Sequence, residues 1–515
     1  MNDLYTVAQI RAIEAAAAAS LPPGALMQRA GQAAANVALA MLAGLPKNRR
    51  SVLLLAGPGN NGGDALEAAA NLAHTNAGVE VSVLHLPAGG AVSPETADAL
   101  ARARASQARF IDALPDREPG LVVDGLFGIG LKRPLDVTAR ALVDTINARR
   151  WSVLALDVPS GLDADTGSVV GPHGAAIDAV RTLTFIADKP GLHTLGGRDH
   201  AGEVQVDGLG LDAAAHAQAA ARLNAPDLFA SQLRRRRHDS HKGSYGDVIV
   251  VGGADGTLGA PMLAARCALY AGAGRVIAAP LGEGPGIDAM HPEIMFRGAQ
   301  QVALDQGTVV IGPGLGGSAG AMALLAAALA GDAAVVLDAD GLNLVAASVD
   351  LAGRLHARAA RHLATILTPH PLEAARLLAR STHQVQQDRL GSAEELAARF
   401  MAVVVLKGSG TVIAAPGERS VINANGNPGL ATGGSGDVLA GLCGALLAQG
   451  WPAHAAATGA VWLHGAAADR LVGQGVGPIG LTAGELPAAV RAVLNETVAL
   501  HDGLNTAQQQ QQQSQ

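Results

Sequence analysis

Length, composition and charge already exclude several classes of protein. With 515 residues, the chain is too long for one ordinary hydrophobic core and predicts two domains. The net charge of −7 argues against a nucleic-acid partner, because surfaces that bind nucleic acid are basic. No stretch approaches the roughly 18 uninterrupted apolar residues of a membrane span, and the N-terminus lacks the pattern of a signal peptide. We therefore expect a cytoplasmic protein with no membrane partner.

The first half of the chain alternates short apolar runs with longer Ala-rich segments of helical length. The runs show no polar alternation, as is typical of parallel strands buried on both faces of a sheet. Residues 1–211 are therefore predicted to form an α/β domain with a parallel sheet. Its predicted strands lie within 51–57, 79–86, 121–128, 151–159 and 180–188.

A polar segment separates this domain from a second one with the same alternation. Residues 212–237 carry no strand signal and are predicted to be a linker, and residues 238–502 form the second α/β domain. The glutamine tract at 503–515 is too polar to bury and is predicted to be disordered. Both cysteines are expected to be buried thiols. The predicted strands of the second domain lie within 247–253, 275–280, 308–314, 333–341, 363–370 and 401–408.

Polar groups follow several predicted strands of the first domain. The loop GPGNNGGD (57–64) can turn successive amides towards an anion, although a tight strand–helix turn explains a glycine loop equally well. The carboxyl ends of parallel strands line one crevice, which would collect Asp124, Asp157 and Ser160. Oxygens of Asn61, Asp124 and Ser160 suit a cation, whereas Asp157 could act as an acid or base. Lys189 is either a further site residue or a surface lysine.

Five motifs of this half, in this order, resemble the NAD(P)H-hydrate epimerases: LMQRAG (26–31), GPGNNGGD, VVDGLFGIG, DVPSGLDADTG and ADKPGL. The resemblance implies a Rossmann-like sheet layered with helices. It also implies a potassium ion bound by Asn61, Asp124 and Ser160, and a substrate contact from Asp157. The family pattern has glycine where this chain has Ala65, and a methyl group there would narrow the approach of the substrate. The other implied substrate-binding residues are Asn60, Asn61, Gly62, Gly63, Asp64, Gly128, Ile129, Gly130, Leu131, Lys132, Arg133 and Pro134.

The most informative stretch of the second half is GNPGLATGGSGDVLAG (426–441). Its TGGSGD segment offers consecutive amides at a helix start, an arrangement that stabilises a transferring phosphoryl group. Asp437 follows them and could take the proton of an attacking hydroxyl, whereas helix capping is the structural alternative. Lys407 and Thr411 flank a glycine turn that could meet a nucleotide phosphate or be an ordinary hairpin. His370 lies at another strand end.

These stretches, with IGPGLGG (311–317) and VVLDADGLNL (335–344), look like the ADP/ATP-dependent NAD(P)H-hydrate dehydratases, relatives of the ribokinase superfamily. The resemblance implies a ribokinase-like α/β domain that binds ADP with Mg²⁺. The implied nucleotide-binding residues are Lys407, Gly408, Ser409, Gly410, Thr411 and Gly436. Those implied to face the hydrated dinucleotide are Ala260, Gly316, His370 and Asp437, with Asp437 as the catalytic base.

The two resemblances together predict a repair enzyme for hydrated nicotinamide dinucleotides. It would epimerise the R and S forms of NAD(P)H-hydrate and dehydrate the S form to NAD(P)H, converting ADP to AMP and phosphate. A homo-oligomer is expected. Two alternatives stay open: a ribokinase-type small-molecule kinase, for which the TGGSGD segment is equally suitable, and a nucleotide-binding scaffold with an inactive N-terminal domain.

Overall fold

The structure is a computed structural model that describes residues 3–75, 78–87, 90 and 92–512, with side chains described up to residue 503. The chain divides into two compact units, Met1–Arg222 and Leu223–Gln515. This division falls inside the predicted linker 212–237. That segment is not without structure, however, because it contains a short helix, a short strand and a 3-10 helix.

The first unit is an α/β layer structure, as predicted. Its strands are β1 (Asp3–Leu4), β2 (Ser51–Ala56), β3 (Glu80–His85), β4 (Arg109–Ile111), β5 (Leu121–Gly125), β6 (Val153–Leu156), β7 (Arg181–Phe185), β8 (Glu203–Asp207) and β9 (Ala221–Leu223). Its helices are α1 (Val7–Ala18), α2 (Ala25–Leu42), α3 (Asn60–His74), α4 (Pro94–Ala105), α5 (Val137–Arg149), α6 (Gly197–His200) and α7 (Ala213–His216). In the part of this unit that the structure describes, seven parallel strands form a sheet in the order β4-β3-β2-β5-β6-β7-β8.

Helices cover both faces of this sheet because alternate residues of each apolar strand point to opposite sides. On one face, Leu54 of β2 and Val123 of β5 pack with residues of α1, α2, α3 and α4. On the other face, Leu55 and Val122 pack with residues of α5. The apolar runs of the sequence therefore correspond to the strands in the middle of the sheet.

The order of the strands reverses at β2, which lies between β3 and β5. The loops after β2 and β5 leave the sheet in opposite directions, and the crevice between them is where ligands bind in open α/β sheets. Gly57 directly follows β2 and lies so close to the residue after β5 that a Cβ atom there would overlap the carbonyl group of Leu126. This glycine lets the two loops meet.

The second unit is also α/β, as predicted. Its strands are β10 (Asp247–Gly252), β11 (Arg275–Pro280), β12 (Met295–Phe296), β13 (Thr308–Ile311), β14 (Ala334–Leu337), β15 (Thr365–Leu367), β16 (Val403–Leu406), β17 (Thr411–Ala414) and β18 (Ser420–Asn423). Its helices are α8 (Gly259–Tyr270), α9 (Ala319–Ala330), α10 (Ala339–Ala347), α11 (Val349–Ala360), α12 (Pro371–Leu378), α13 (Thr382–Gln387), α14 (Arg389–Phe400), α15 (Ser435–Ala448), α16 (Ala453–Gly473) and α17 (Leu486–Gln512).

The strands of the second unit follow the order β18-β17-β16-β15-β14-β13-β10-β11-β12. The pairs from β12 to β16 are parallel, whereas β17 and β18 are antiparallel additions at one side. One face of the sheet packs on α8, α15, α16 and α17 through a core that includes both cysteines. Cys267 and Cys443 are free thiols and fully buried, which confirms the predicted core role.

Sequence patterns missed the strands that lie at sheet edges. β4 and β8 have no fully buried residue, so they lack the continuous apolar run by which the central strands are recognised. β9 was assigned to the linker because three residues carry too little pattern, although it pairs antiparallel with β1.

Helix α17 is described as far as Gln512. The disorder predicted for residues 503–515 stays a prediction. Residues 513–515 lie outside the described residues. Among the residues that were described, no helix is both long and apolar enough to span a membrane.

Two glycine substitutions in the second unit should have opposite effects on stability. Gly441 of α15 faces α8, and an added Cβ would overlap the carbonyl group of Ala264, so Gly441→Ala should lower the free energy of unfolding by about 2 kcal/mol. Gly353 of α11 has open space around it. Gly353→Ala should therefore raise the free energy of unfolding by about 0.5–1 kcal/mol, because alanine favours a helix more than glycine does. Urea unfolding followed by tryptophan fluorescence measures both. Equal shifts in the two variants would contradict the close packing.

Candidate functional sites

A cavity of about 970 Å³ opens at the carboxyl ends of β2, β5 and β6 in the first unit. Almost all of the predicted substrate-binding residues of this unit line it. These are Asn60, Asn61, Asp64, Gly128, Ile129, Gly130, Leu131, Lys132, Arg133, Pro134 and Asp157. Gly62 and Gly63 instead lie in the tightly packed first turn of α3, where added Cβ atoms would overlap Gly57 and Met27.

Ala65 does not narrow this cavity. It is fully buried on the inner face of α3, next to Gly125 of β5, where a Cβ atom would lie 2.6 Å from that of Ala65. Its methyl group therefore packs on the sheet. The expectation that alanine restricts the substrate's approach is wrong for this reason.

The centre of the first site is an ion pair between Lys189 and Asp157. The Lys189 ammonium lies 2.7 Å from Oδ1 of Asp157 and is completely buried. It also donates hydrogen bonds to the hydroxyl of Thr184 at 2.6 Å and to the carbonyl of Phe185 at 3.0 Å. Lys189 is therefore a site residue, and the surface alternative is wrong. The other carboxylate oxygen of Asp157 accepts a hydrogen bond of 3.2 Å from the amide of Ile129.

Asp157 also has an unusual backbone conformation. Its φ of +65° lies in the left-handed region, which only a few per cent of residues other than glycine adopt, most often asparagine, aspartate and histidine. Strain of this kind concentrates at functional sites, where the surrounding structure holds it in place. Here the Lys189 pair and the Ile129 amide hold the carboxylate at the cavity wall.

Two further carboxyl groups line the same cavity, and their pKa values lie above the ordinary range. Burial, followed by the charges of Asp157 and Glu14, raises the pKa of Asp64 well above its usual value. Burial and Asp157 also raise the pKa of Glu14. The cavity thus holds one carboxylate paired with a lysine beside carboxyl groups that retain a proton more readily, a combination suited to proton transfer. Glu14 was not identified from the sequence, because no motif surrounds it in the Ala-rich helix α1.

Of the residues predicted to bind a cation, Asn61 lines this cavity, whereas Asp124 and Ser160 are fully buried and do not line it. Asp124 is fully buried and accepts hydrogen bonds from the Ser160 hydroxyl at 2.7 Å and the Ser160 amide at 2.8 Å. Burial raises the pKa of Asp124 to about 6, against the effect of these hydrogen bonds. Asn61 donates from Nδ2 to the carbonyl of Leu156 at 3.2 Å, but its buried Oδ1 has no hydrogen-bond partner among the described residues. A buried oxygen without a donor is what a cation ligand requires.

In the second unit, a partly buried lysine lies at the end of a strand. Lys407, directly after β16, places its ammonium 2.7 Å from Oδ1 of Asp338 and 4.0 Å from Glu373. Asp338 follows β14 and accepts a further hydrogen bond of 2.8 Å from Thr368, which follows β15. Burial acts to lower the pKa of Lys407, but the nearby carboxylates outweigh it, and the pKa lies above its ordinary value.

The Lys407 side chain brings the loop at residues 407–411 next to the start of α15. A Cβ atom on Gly436 would lie 3.2 Å from the Lys407 ammonium, so the two predicted nucleotide-binding segments are adjacent. Asp437 follows Gly436 in the first turn of α15. Burial, followed by the charge of Asp338, raises the pKa of Asp437 to about 6. A carboxylate with this pKa can accept a proton near neutral pH.

The remaining predicted residues of the second unit also lie at the carboxyl ends of its parallel strands. The amide of Gly316 donates to Asp340 at 2.9 Å in the turn after β13. His370 caps α12, and its ring Nδ1 accepts hydrogen bonds from the backbone of Leu372 and Glu373. Ala260 is the second residue of α8, three residues before Leu263, which lies next to the Gly434 turn. Asp338, Asp340 and Thr368 are additional polar residues, and the DADG motif was the signal that pointed to the first two.

Breaking the Lys189–Asp157 pair should destabilise the first unit. Lys189→Met would leave the Asp157 carboxylate without its cation and should lower the free energy of unfolding by about 3 kcal/mol. Asp157→Asn keeps a residue that tolerates positive φ. The double variant should lose less free energy of unfolding than the two single variants lose together, because neither charge is then left without its partner. Thermal unfolding of all four proteins provides the double-mutant cycle, and strict additivity would contradict a direct pair.

Comparison with known proteins gives a consistent result over both units. Residues 23–191 match the family of YjeF-related protein N-termini, and residues 248–486 match the NAD(P)H-hydrate dehydratase family. The bifunctional NAD(P)H-hydrate repair enzyme Nnr of Coxiella burnetii is 40% identical over 511 residues, which cover 96% of this chain and 100% of that protein. The enzyme of the same name from Escherichia coli is 38% identical over 92% of this chain and 90% of that protein.

A solved structure also matches part of the chain. The ADP/ATP-dependent NAD(P)H-hydrate dehydratase from Bacillus subtilis, co-crystallised with ATP and Mg²⁺, is 30% identical. The match covers 54% of this chain and 99% of that one, with a TM-score of 0.46.

Proposed function

Because this chain belongs to the bifunctional NAD(P)H-hydrate repair enzymes, with an N-terminal epimerase domain and a C-terminal dehydratase domain, we propose specific residues for each of its two reactions. The observation that supports both assignments is the same. In each unit a lysine pairs with an aspartate at the crevice formed by the carboxyl ends of the parallel strands.

For epimerisation, the cavity lined by residues 60–64 and 128–134 holds the hydrated nicotinamide, and Asp157 exchanges the proton of its hydroxyl group. The hydrated carbon bears both this hydroxyl and the ring nitrogen. When the hydroxyl proton is taken, a carbonyl group forms and the carbon–nitrogen bond breaks, with the electron pair going to nitrogen. The nitrogen then attacks the other face of the carbonyl, the proton returns to oxygen, and the configuration of the carbon is inverted. Asp157 accepts and returns this proton, and Lys189 holds the carboxylate in position.

Potassium is the proposed cofactor of the epimerase site. Asn61 would bind it through the buried Oδ1 that lacks a donor, together with the carboxylate of Asp124 and the hydroxyl of Ser160. All three are hard oxygen ligands, which suits an alkali cation. When bound, potassium would supply a fixed positive charge below the loop at residues 60–64.

For dehydration, ADP binds to the Lys407–Thr411 loop and Gly436, and the S form of the hydrate contacts Ala260, Gly316, His370 and Asp437. Asp437 takes the proton of the substrate hydroxyl, whose oxygen then attacks the β-phosphoryl group of ADP and releases AMP. The amides of residues 433–436 stabilise the transferring group. Mg²⁺ would accompany the nucleotide, whose phosphate oxygens are its usual ligands.

Phosphorylation converts a poor leaving group into a good one. Hydroxide is the conjugate base of water, with a pKa of about 15.7, whereas the second pKa of phosphate is about 6. The ring nitrogen expels phosphate, and loss of a proton from the neighbouring carbon completes the double bond of NAD(P)H. Because the mechanism accepts one configuration at the hydrated carbon, an epimerase on the same chain lets the other hydrate be used.

Asp437→Asn should abolish dehydration and leave epimerisation intact. Without its base the dehydratase rate should fall by about 10³-fold, in the middle of the range for loss of a general base. Recovery of near-ultraviolet absorbance from NADH-hydrate with ADP and Mg²⁺ measures dehydration. Epimerisation in the same sample, followed by chromatography of the two hydrates, is the control for folding. A dehydration rate near that of the wild type would contradict the assignment.

Asn61→Ala should weaken the dependence of epimerisation on potassium. Loss of one ligand oxygen should raise the potassium concentration that gives half-maximal rate by about tenfold, or ~1.4 kcal/mol of binding free energy. Epimerisation is measured against potassium at constant ionic strength, with a tetraalkylammonium salt as the replacement. Asp144→Asn, which changes an exposed ion pair of the same unit, is the control. A rate that is independent of potassium in the wild type would refute the cation site.

The kinase and scaffold alternatives predict different products. A kinase would release a phosphorylated product in place of NADH and free phosphate, and a scaffold would show no epimerisation. The predicted cytoplasmic location and homo-oligomer stay predictions.

A further inference from the structure

Arg389, the first residue of α14, is a buried cation without a carboxylate partner. Its side chain is 3% exposed, and among the described residues no acidic group forms an ion pair with it. Nη2 donates to three carbonyl oxygens, those of Leu406 at 3.1 Å, Lys407 at 3.2 Å and Gly410 at 3.2 Å. Nη1 donates to Gln386 at 2.7 Å, whereas Nε has no partner in the described structure.

A residue whose only role is to pack in the core would not need a charge that costs free energy to bury. Burying a charge without a counter-ion costs several kcal/mol, and an apolar side chain would pack in the same volume at lower cost. Burial lowers the pKa of Arg389 to about 10, so the group stays charged at neutral pH. The compensation comes from the carbonyl dipoles of one loop, the loop proposed above to bind ADP.

The guanidinium also determines which way the peptide groups of this loop face. In a planar trans peptide the carbonyl and the following N–H point in opposite directions. With the Lys407 carbonyl drawn inward to Arg389, the N–H of Gly408 points outward. Gly408 and Ser409 are exposed, whereas Gly410 is buried. Gly408 has a φ of +140°, and a Cβ atom there would lie 2.9 Å from Nη1, so the loop lies directly on the guanidinium.

We propose that Arg389 is a positioning residue for the nucleotide phosphates of the dehydratase reaction. It holds the carbonyls of Lys407 and Gly410 on the inner side, so that the Gly408 amide and the Lys407 ammonium face the phosphates. Its charge also adds positive potential beneath them. This inference rests on the proposed assignment of Lys407–Thr411 to the nucleotide.

The chain contains a matched control in Arg358. This arginine is 1% exposed, and burial likewise lowers its pKa to about 10. It donates to the carbonyls of Gly331 at 3.1 Å and Ala364 at 3.4 Å, near the amino ends of β14 and β15. Like Arg389, Arg358 is buried and donates to backbone carbonyls. It lies at the amino ends of the strands, however, at the opposite end of the sheet from the site.

The experiment compares Arg389→Lys and Arg358→Lys in the full-length protein. Lysine keeps the charge but cannot bond three carbonyls and Gln386 with one planar group. We expect Arg389→Lys to raise the KM for ADP by about tenfold, with kcat and the KM for NADH-hydrate within about twofold of wild type. Arg358→Lys should lower the melting temperature and leave the KM for ADP unchanged. Gln386→Ala, a milder change, should raise the KM for ADP by about threefold.

Lys407→Ala separates failure of this inference from failure of the nucleotide assignment. If Lys407→Ala raises the KM for ADP but Arg389→Lys does not, the positioning role is overturned and the assignment stands. If Arg389→Lys does not fold, an unchanged KM in Gln386→Ala overturns the role, and a raised one supports it. If Lys407→Ala leaves the KM for ADP unchanged, the nucleotide assignment fails, and the role of Arg389 fails with it.

Discussion

The ligand crevice of each unit depends on an ion pair in which a lysine ammonium lies 2.7 Å from an aspartate at the carboxyl end of the sheet. Lys189 is completely buried and also donates to Thr184 and Phe185, whereas Lys407 is partly exposed. The pair in turn fixes the aspartate beside the ligand crevice. Lys189 holds Asp157 at the cavity wall, and Lys407 lies between Asp338 and the turn that leads to Asp437. Two different chemistries are therefore built on the same electrostatic arrangement.

The sequence was sufficient to predict the central strands and the loops that follow them. Their apolar runs are long because both faces are covered, and their ends carry the glycines, aspartates and lysines that line the crevices. Edge strands such as β8 were missed because they lack this pattern. The substrate-binding and nucleotide-binding residues came from resemblance to two families, and their placement at the crevices is consistent with it.

Contacts between distant parts of the chain could not be predicted in this way. Lys189 was ambiguous because neither its burial nor its pairing with Asp157, 32 residues earlier in the sequence, leaves a local pattern. Glu14 reaches the cavity from an ordinary amphipathic helix. Arg389 begins a helix and would normally be read as a surface residue, and only the path of the β16–β17 turn shows why it is buried. Residues that position others are the hardest to infer from a single sequence.

The two cysteines of the second unit have a consequence for how this enzyme withstands chemical stress. Thiols react with oxidants and electrophiles as thiolates, and burial raises the pKa of Cys443 to about 12 and that of Cys267 above its ordinary value. Almost no thiolate forms at neutral pH, and neither sulfur is open to solvent. Oxidants that inactivate enzymes through an exposed thiol therefore find no thiol at the surface of the second unit, and its oxidisable surface sulfurs are those of exposed methionines such as Met290.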